Sequence, residues 1–430
     1  MKTFYMTLIA SFLSPIASFN LSAETSCSTM LSAVDDQRKI EREMCVDPHA
    51  VICTKDNYSK NYFKRGQSLL DQVFEEVSKE IYGENSHTLN QRGVSSISRD
   101  NYSAILSPVN DETFCVDDAL ICHESEIQIP NNTPWLYQFN LEDTVKTRFF
   151  KRLDEIIDPK LEVLNAAYAL HLERMIKITN KELKQKVPQD KIDLITLELK
   201  NSIPLFSSSK TSLDRAFPNL SDNEKNIIKS DYEQACFYNM QSAVNASFQQ
   251  FHFSTTSINT TFYCPADYLG EVERADTLRS AYNSLALLVS HELGHQVSEN
   301  LINTSAFDQF DQCMEDNFAK GEILGHHTNY QDEAHADFFA KRLLGDILND
   351  YKDYPLMDKV DLIKEAAVVL CDSRDDQIHH SDKHRINLAI RLIPEYRDAF
   401  NCSHHSHVMR LRKPVDCGLN GEKVIMIPEL

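Results

Sequence analysis

The sequence contains little glycine and no excess of basic residues. Ten glycines and 14 prolines among 430 residues leave little room for a collagen-like or disordered chain. Lysine and arginine together number 44, against 64 aspartates and glutamates, which gives a formal net charge of −20. This acidic balance argues against a nucleic-acid partner and against binding to an anionic membrane surface. The length is sufficient for about two or three domains with a sizeable core.

Long apolar runs are also absent beyond the N-terminus, so the sequence predicts no transmembrane segment. The first residues carry one charge at Lys2, then an apolar run, and then small residues at Ser22 and Ala23. This pattern is typical of a secretory signal peptide, which we expect to comprise residues 1–23. The alternative is a membrane anchor, but Pro15 interrupts the apolar run too early for it to cross a bilayer. The mature protein is therefore expected to be secreted or periplasmic.

The sequence lacks CxxC pairs, although it contains 11 cysteines, all of them after residue 23. In an oxidising compartment, this number favours a set of disulfides with one thiol left over. The alternative is a set of buried thiols in a reducing compartment, and a signal peptide argues against it. There is also no internal repeat, so no repeat architecture is predicted.

The pattern of apolar residues changes along the chain. We expect a mixed, largely helical N-terminal region over 24–215 and a second region over 216–430. The boundary between them lies in the Ser-rich stretch 207–222, which also contains Pro218 and is predicted to be a loop. Residues 244–269 alternate aromatic side chains with threonine, which predicts strands. After residue 275 the spacing of apolar residues is helical again, nearly to the end of the chain.

An apolar stretch near residue 290 contains polar residues where a core helix would carry Leu or Ala. In "SLALLVSHELGHQVSENL", His291 and His295 are four positions apart, so both imidazoles lie on the same face of a helix. Two neutral imidazoles one turn apart can bind Zn²⁺, and Glu292 can take a proton from a water on that metal. The alternative is a helix with surface histidines, but the apolar flank, the predicted export and the small Gly294 argue against it. We therefore predict an HExxH motif that binds one zinc ion per chain.

A third ligand is expected downstream, on a second helix. In "NYQDEAHADFFAKRLL", Glu333 and Asp337 are again four positions apart. Glu333 suits the role of metal ligand, and Asp337 can accept a hydrogen bond from the outer N–H of His291. Two histidines and one glutamate, with the fourth position open for water, form the ligand set of the gluzincin peptidases. Three nearby histidines are alternative ligands, although each is more typical of the surface: His335, His326 and His327.

Beyond the zinc motif, the chain from Val244 to Cys417 resembles the neprilysin family of zinc endopeptidases. The segments that carry this resemblance follow the family's order and approximate spacing. They are "VNA" at Val244–Ala246, "PA" at Pro265–Ala266, "EAHAD" at Glu333–Asp337, "FDQCMED" around Cys313, and "HHSDKHRINLAIRLIPEYRDAFNCSHHSHVM" towards the C-terminus. The chain departs from the family in its shorter N-terminal part. It also has Asp332 where the family has Gly, and Ser381 where the family has Pro.

The resemblance implies a mainly α-helical, α+β zincin-like fold. Residues 216–430 would form the metallopeptidase domain, with a small edge sheet, the HExxH helix and the downstream ExxxD helix. Asn245 and Ala246 would hydrogen-bond the substrate backbone. His379 would donate a hydrogen bond to the oxyanion of the transition state, and Arg385 would bind a substrate carbonyl. The alternative for His379 is a solvated loop residue.

The resemblance also implies a disulfide pattern that joins the two ends of the chain. Three implied bonds are long-range and two are local: Cys45–Cys402, Cys53–Cys371, Cys313–Cys417, Cys115–Cys122 and Cys236–Cys264. Cys27 would be left unpaired. The alternative is local pairing, for example Cys45–Cys53 and Cys402–Cys417. In principle, bonds that close long loops stabilise a fold more.

The sequence therefore predicts a secreted, zinc-dependent endopeptidase that acts on a peptide or protein substrate, with Glu292 as the general base. It leaves the oligomeric state open. The first alternative is a non-catalytic binding protein on a degenerate peptidase fold, and the intact Glu292 and Glu333 argue against it. The second is a zinc-stapled structural protein, in which a protein ligand closes the fourth metal position. The third is a gluzincin related to the prenyl-protein peptidases, and the missing membrane spans argue against it.

Overall fold

The computed structural model describes the chain in segments: residues 36–54, parts of 69–80, 96–98, 122–123, 126–128, 143–238, 246–253, 256–265, 268, 277–317, 329–372, 385–389, 393–402 and 415–424. The predicted signal peptide at 1–23 lies outside the described residues. Most of the described residues are helical, and the sheets are small. This confirms the prediction of a mainly α-helical fold.

Helices of very different lengths form the framework. They are α1 (Pro48–Ile52), α2 (Asp143–Ile157), α3 (Leu161–Leu183), α4 (Gln189–Asn201), α5 (Lys210–Ala216), α6 (Asp222–Glu233), α7 (Leu278–Glu299), α8 (Asp308–Asn317), α9 (Asn329–Asp350), α10 (Leu356–Ala367) and α11 (Pro394–Ala399). Residues 36–46 are also helical, and Arg385–Ala389 forms a wider, π-type turn. Within the described ranges, no helix is both long and apolar enough to cross a membrane.

The strands are short. They are β1 (Ser96–Ser98), β2 (Cys122–His123), β3 (Glu126–Gln128), β4 (Ser202–Leu205), β5 (Ala246–His252), β6 (Ser257–Tyr263), β7 (Val415–Gly418) and β8 (Gly421–Val424). β1, β3 and β2 form one antiparallel sheet, and β7 pairs with β8. β5 and β6 lie in the stretch of alternating residues and confirm the strand prediction there.

α7 lies at the centre of the helical packing. It begins at Leu278, after Thr277, whose hydroxyl accepts a hydrogen bond from the backbone N–H of Ser280 at 3.2 Å and so caps the helix. Most of its residues are buried, and α3, α9 and α10 all pack against it. The five consecutive apolar residues at 285–289 are all buried, and five consecutive residues cover every face of a helix, so this stretch is enclosed on all sides. The HExxH motif therefore lies in the packed interior.

A three-stranded sheet is attached to α7. Its order is β4–β6–β5, with β4 parallel and β5 antiparallel to β6. Gln296 on α7 donates hydrogen bonds to the hydroxyls of Ser202 on β4, at 3.0 Å, and of Thr261 on β6, at 2.9 Å. These two bonds fix the position of the sheet along the helix. As a result, the end of β6 and the start of β5 lie level with the HExxH motif.

α9 crosses α7 with their backbones in contact. A Cβ atom on Gly294 of α7 would lie 2.6 Å from the carbonyl oxygen of Ala336 on α9. Real side chains do not make so short a contact, so only glycine allows the two backbones to approach this closely. Ala336 lies between Glu333 and Asp337 in the sequence. Both carboxylates are therefore carried on the part of α9 that is closest to α7.

The predicted loop at 207–222 is wrong over part of its length, because it contains α5. Ser209 caps this helix, since its hydroxyl accepts a hydrogen bond from the backbone N–H of Ser212 at 3.0 Å. Leu213 is buried against the core and stabilises a helical segment that the Ser-rich composition conceals. The predicted division after residue 215 falls at the end of α5 and stays a prediction. Residues from both sides of this position contribute to one continuous core.

Disulfides join distant parts of the described chain. They are Cys45–Cys402, Cys53–Cys371, Cys236–Cys264 and Cys313–Cys417. All of them are pairs that the family resemblance implies, and the local alternatives Cys45–Cys53 and Cys402–Cys417 are wrong. Cys27 and Cys115 lie outside the described residues. Structural disulfides persist in oxidising compartments, so this set fits an extracellular protein.

Candidate metal centre

Three side chains converge where α7 and α9 cross. The Nε2 atoms of His291 and His295 lie 3.1 Å apart. Oε2 of Glu333 lies 3.0 Å from Nε2 of His291 and 3.4 Å from Nε2 of His295. One ligand atom from each of the three residues lies within 4.8 Å of the others, so the group could hold a metal ion. The structure thus brings together the three residues that the sequence predicts as metal ligands.

Helix geometry explains this convergence. His291 and His295 are one turn apart on α7, so their imidazoles lie on one face. The backbone contact at Gly294 brings α9 close enough for Glu333 to reach both imidazoles. A larger side chain at this position would move α9, and with it Glu333, away from the histidines. The small residue in the HExxH motif is therefore part of the site's geometry.

Asp337 holds the outer side of His291. Its Oδ1 lies 2.9 Å from Nδ1 of His291. This is the contact that the sequence predicts for Asp337. Arg385 donates two hydrogen bonds to the same carboxylate, from Nε to Oδ2 at 2.9 Å and from Nη2 to Oδ1 at 2.6 Å. When Nδ1–H of His291 donates to Asp337, the lone pair of Nε2 is directed at the metal position.

The carboxylates around His291 favour its protonated form. Burial lowers the pKa of His291, but hydrogen bonds to Asp337 and Glu333 outweigh burial and raise this pKa to about 10. Burial raises the pKa of Asp337, but the charges of Arg385 and His291 hold it well below its ordinary value. At neutral pH, Asp337 is therefore ionised and His291 is protonated. A metal ion on Nε2 would replace that proton, because only the neutral imidazole can act as a ligand.

Glu292 is buried beside the cluster, with 8% of its surface exposed. One turn later, Gln296 bonds Thr261 on β6, and Tyr263 lies two residues further along the same face of that strand. Glu292 therefore lies on the side of α7 that carries the sheet. The pKa of Tyr263 is raised by burial, then by the neighbouring Tyr168, and then by the charge of Glu292. A carboxylate in this position can accept a proton inside the site.

Comparison with known proteins supplies no relative. No protein-family model matches the chain, no curated protein matches its sequence, and no solved structure matches its fold. The resemblance to the neprilysin family therefore rests on the sequence segments alone and stays a prediction. What the site can do is inferred from its own residues.

The structure describes some of the other predicted site residues but not all of them. Ala246 begins β5, the strand that pairs with β6. Asn245 and His379 lie outside the described residues, and their roles stay predictions. Arg385 bonds Asp337, and its predicted role towards a substrate carbonyl also stays a prediction.

The alternative ligand His335 lies in a different environment. Its Nε2 is 2.7 Å from Oδ1 of Asp311, and its ring stacks on Phe307 with the centroids 3.7 Å apart. Among the described residues, His335 does not belong to the group that could hold a metal. His326 and His327 lie outside the described residues.

Two contacts at the site are not predicted from the sequence. One is the ion pair between Arg385 and Asp337, which are 48 positions apart. An ion pair between distant positions leaves no local pattern in a sequence. The other is the electrostatic effect of the Glu292 charge on Tyr263 of the sheet. Its signal is weak, namely a tyrosine at the end of a strand pattern.

Proposed function

We propose that this protein is a secreted, zinc-dependent endopeptidase with a zincin-like catalytic domain over residues 216–430. The observation that carries the proposal is the cluster of His291, His295 and Glu333 with Glu292 buried beside it. Two imidazoles and one carboxylate leave a fourth metal position for water. A carboxylate next to that position is what peptide hydrolysis requires of a general base. The disulfides support secretion, because they fit an oxidising compartment.

The spacing of the donor atoms supports zinc. Tetrahedral zinc with bonds of roughly 2.0–2.1 Å places its ligand atoms about 3.3 Å from one another. The corresponding donor–donor distances here are 3.0, 3.1 and 3.4 Å, so the residues fit this geometry with little movement. Calcium and magnesium prefer sets of oxygen ligands, and a pair of imidazole nitrogens does not suit them.

The residues of the chain would divide the chemistry between them. A metal held by His291, His295 and Glu333 would supply a Lewis acid that lowers the pKa of a water molecule and polarises the substrate carbonyl. Glu292 would accept a proton from the attacking water and give it to the leaving amine. Asp337 keeps the Nδ1 proton on His291 and so directs Nε2 at the metal. Arg385 neutralises the half-buried Asp337 carboxylate.

Substrate binding is proposed for the edge strand and for the segment after α10. Ala246 begins β5, and an extended peptide beside such a strand can bond to its backbone. Asn245, directly before it, would bind the substrate backbone as well. His379 would donate a hydrogen bond to the oxyanion that forms on the attacked carbonyl. Arg385 would bind a substrate carbonyl beyond the scissile bond.

A digest of a peptide library tests the proposal. The purified mature chain should cleave internal peptide bonds. This activity should be lost after treatment with a chelator and should return when zinc is added back. Glu292→Gln should keep the metal and the fold but lower the cleavage rate by about 10²–10⁴-fold, because an amide cannot accept the proton. Glu173→Gln, the same change on the exposed side of α3, is the control and should cleave at the wild-type rate.

The outcomes separate the alternatives. Wild-type rates in Glu292→Gln would remove Glu292 from the mechanism. Zinc-loaded wild-type protein that cleaves no peptide in the library would favour a non-catalytic binding protein. Bound zinc that no small zinc-directed inhibitor can reach would favour a structural zinc, because its fourth position would then be closed by the protein.

A further inference from the structure

We infer that Asn387 is a positioning residue for the metal centre, through which the segment 45–53 holds Arg385 against Asp337. Asn387 lies two residues after Arg385 in the same π-type turn, Arg385–Ala389. The inference rests on the proposed zinc site. It adds a residue to which neither the HExxH motif nor the family resemblance assigns a role.

The side-chain amide of Asn387 makes two hydrogen bonds to the segment 45–53. Its Oδ1 accepts from the backbone N–H of His49 at 2.9 Å, and its Nδ2 donates to Oδ1 of Asp47 at 2.9 Å. The same oxygen of Asp47 caps α1 by accepting from the backbone N–H of Ala50 at 3.2 Å. Asn387 is 9% exposed, so its bonds are largely shielded from water. The amide therefore locks the π-type turn onto the start of α1.

The segment 45–53 is itself firmly fixed. Two disulfides hold its ends: Cys45–Cys402 and Cys53–Cys371. Directly before it, the backbone carbonyl of Met44 accepts a buried hydrogen bond from the hydroxyl of Tyr396 at 2.9 Å. A short segment that is crosslinked at both ends has few conformations to sample. It can therefore serve as a rigid support for the turn that carries Arg385.

Arg385 connects this rigid segment, through Asp337, to the proposed metal ligand His291. Its guanidinium binds both oxygens of Asp337, and Asp337 in turn lies 2.9 Å from Nδ1 of His291. Such two-point binding is planar and directional, so a shift of the arginine backbone changes both bonds together. Asn387 holds that backbone two residues away. Loss of its bonds would loosen the orientation of Asp337 and consequently that of His291.

The expected effect is smaller than that of a residue in direct contact with a ligand. Removing the hydrogen-bond partner of a liganding histidine lowers metal affinity by about 10–100-fold. Asn387 acts through two further residues, Arg385 and Asp337. We therefore expect Asn387→Ala to lower zinc affinity about three- to tenfold, and Asp337→Asn to lower it further.

Competition with a chromophoric chelator measures this affinity in the full, disulfide-bonded chain. Zinc is titrated into the wild type, Asn387→Ala and the control Asn180→Ala. Asn180 also joins two elements through its amide, α3 and α4, but its bonds reach Ile176 and Thr196 rather than the metal centre. The control should bind zinc like the wild type. Wild-type zinc affinity in Asn387→Ala would overturn the inference.

A double-mutant cycle distinguishes positioning through Arg385 from a general loss of stability. In an Arg385→Ala background the connection from Asn387 to Asp337 is already broken. Adding Asn387→Ala to this variant should therefore reduce its zinc affinity by less than about twofold. An equal loss in both backgrounds would contradict the inference. If Asn387→Ala does not fold, Asn387→Ser replaces it, because the shorter hydroxyl cannot span both partners. Since zinc affinity is the readout, a wild type that binds zinc but cleaves no peptide would contradict the proposed function alone.

Discussion

Glu292 and Glu333 are both glutamates at the candidate metal centre, but their surroundings suit them to different roles. Glu333 reaches the centre from α9, with its Oε2 3.0 Å from Nε2 of His291. Glu292 follows His291 on α7, so its side chain leaves the helix about 100° away from that of the histidine. Glu292 is not one of the three grouped ligand residues, and its charge raises the pKa of the buried Tyr263. The first residue can bind a metal, and the second can transfer a proton.

Substitution of a ligand residue should remove the metal. We expect His295→Ala and Glu333→Ala to lose stoichiometric zinc, because the two remaining ligands are too few to hold it. His335→Ala is the control and should keep the metal, since His335 bonds Asp311 instead. Elemental analysis of the purified variants gives the zinc content per chain. Full zinc occupancy in both ligand variants would show that the metal binds elsewhere.

His171 shows how a buried histidine differs from a ligand. It lies on α3, where its ring stacks on Tyr282 with the centroids 4.2 Å apart. Its Nε2 donates a hydrogen bond to the backbone carbonyl of Tyr282 at 2.8 Å, whereas Nδ1 has no hydrogen-bond partner among the described residues. Burial lowers the pKa of His171 to about 3, so the folded protein keeps this ring neutral.

The depressed pKa of His171 predicts a loss of stability in acid. The unfolded chain takes up a proton below the ordinary pKa of 6.5, and the folded chain does not. The contribution of His171 to the free energy of unfolding is therefore complete above that pH. It is lost as the pH falls towards 3, by up to about 1.4 kcal/mol per pH unit. When the pH is lowered from 7.5 to 5, the free energy of unfolding of His171→Phe should fall by about 2 kcal/mol less than that of the wild type. Urea unfolding at both pH values measures the difference, and equal losses would mean that folded His171 is protonated.

At the scale of elements, the crossing of α7 and α9 decides whether the ligands meet. Gly294→Ala would place a methyl group against the backbone of Ala336, which can move only together with α9. Alanine favours a helix by about 1 kcal/mol over glycine. We expect overpacking of about 1–3 kcal/mol to offset or exceed this gain. Because Glu333 moves with α9, zinc affinity should fall in this variant.

Gly345→Ala is the matched control on α9. Its new methyl group would lie 2.8 Å from Oε2 of Glu395, the end of a flexible side chain, and 2.9 Å from Cγ2 of Ile393, and neither atom belongs to the backbone of α7. Its zinc affinity should remain at the wild-type value. Chelator competition and thermal unfolding measure the two variants side by side. Unchanged zinc affinity in Gly294→Ala would show that the helices have room at their crossing.

The two helices of the site can be predicted from the sequence because helical periodicity is local. The spacing of His291 and His295, and that of Glu333 and Asp337, indicates both helices and the faces that meet. α5 is not predicted, because its stability comes from contact with a core that lies elsewhere in the sequence. A Ser-rich composition gives no sign of such a contact.

Contacts between elements are harder to predict. Arg385 and Asp337 are 48 positions apart, and His49 and Asn387 are 338 positions apart. Nothing near any of these residues marks its partner, since the pairing depends on how the complete chain packs. The long-range disulfides could be predicted only through the family resemblance, because the cysteine count alone allows many pairings.

At the scale of the whole molecule, the disulfides are the most direct test of the fold. Peptide mapping without reduction should recover the bonds of the described chain: Cys45–Cys402, Cys53–Cys371, Cys236–Cys264 and Cys313–Cys417. It should also leave Cys27 as a free thiol. A peptide that joins Cys402 to Cys417 would contradict the long-range pairing.

Removal of a long-range bond should destabilise the protein more than removal of a local one. Cys313 and Cys417 are 104 positions apart, and bonds of this kind stabilise by about 2–5 kcal/mol. Replacing both with serine should lower the free energy of unfolding by about that amount. The bond between Cys236 and Cys264 spans 28 positions, so the same replacement there should have an effect about 1 kcal/mol smaller. Urea unfolding of the two double variants measures both values, and the opposite order would contradict the prediction.

The bond between Cys45 and Cys402 also imposes an order of events on biosynthesis. The two cysteines are 357 positions apart. A ribosome adds about 5–20 residues per second, so the first thiol waits about 20–70 s before its partner has been made. During that interval Cys53 is the nearest thiol in the sequence, and a bond to it would have to be broken again by thiol–disulfide exchange. A host that produces this protein in quantity therefore needs a disulfide isomerase as well as an oxidant.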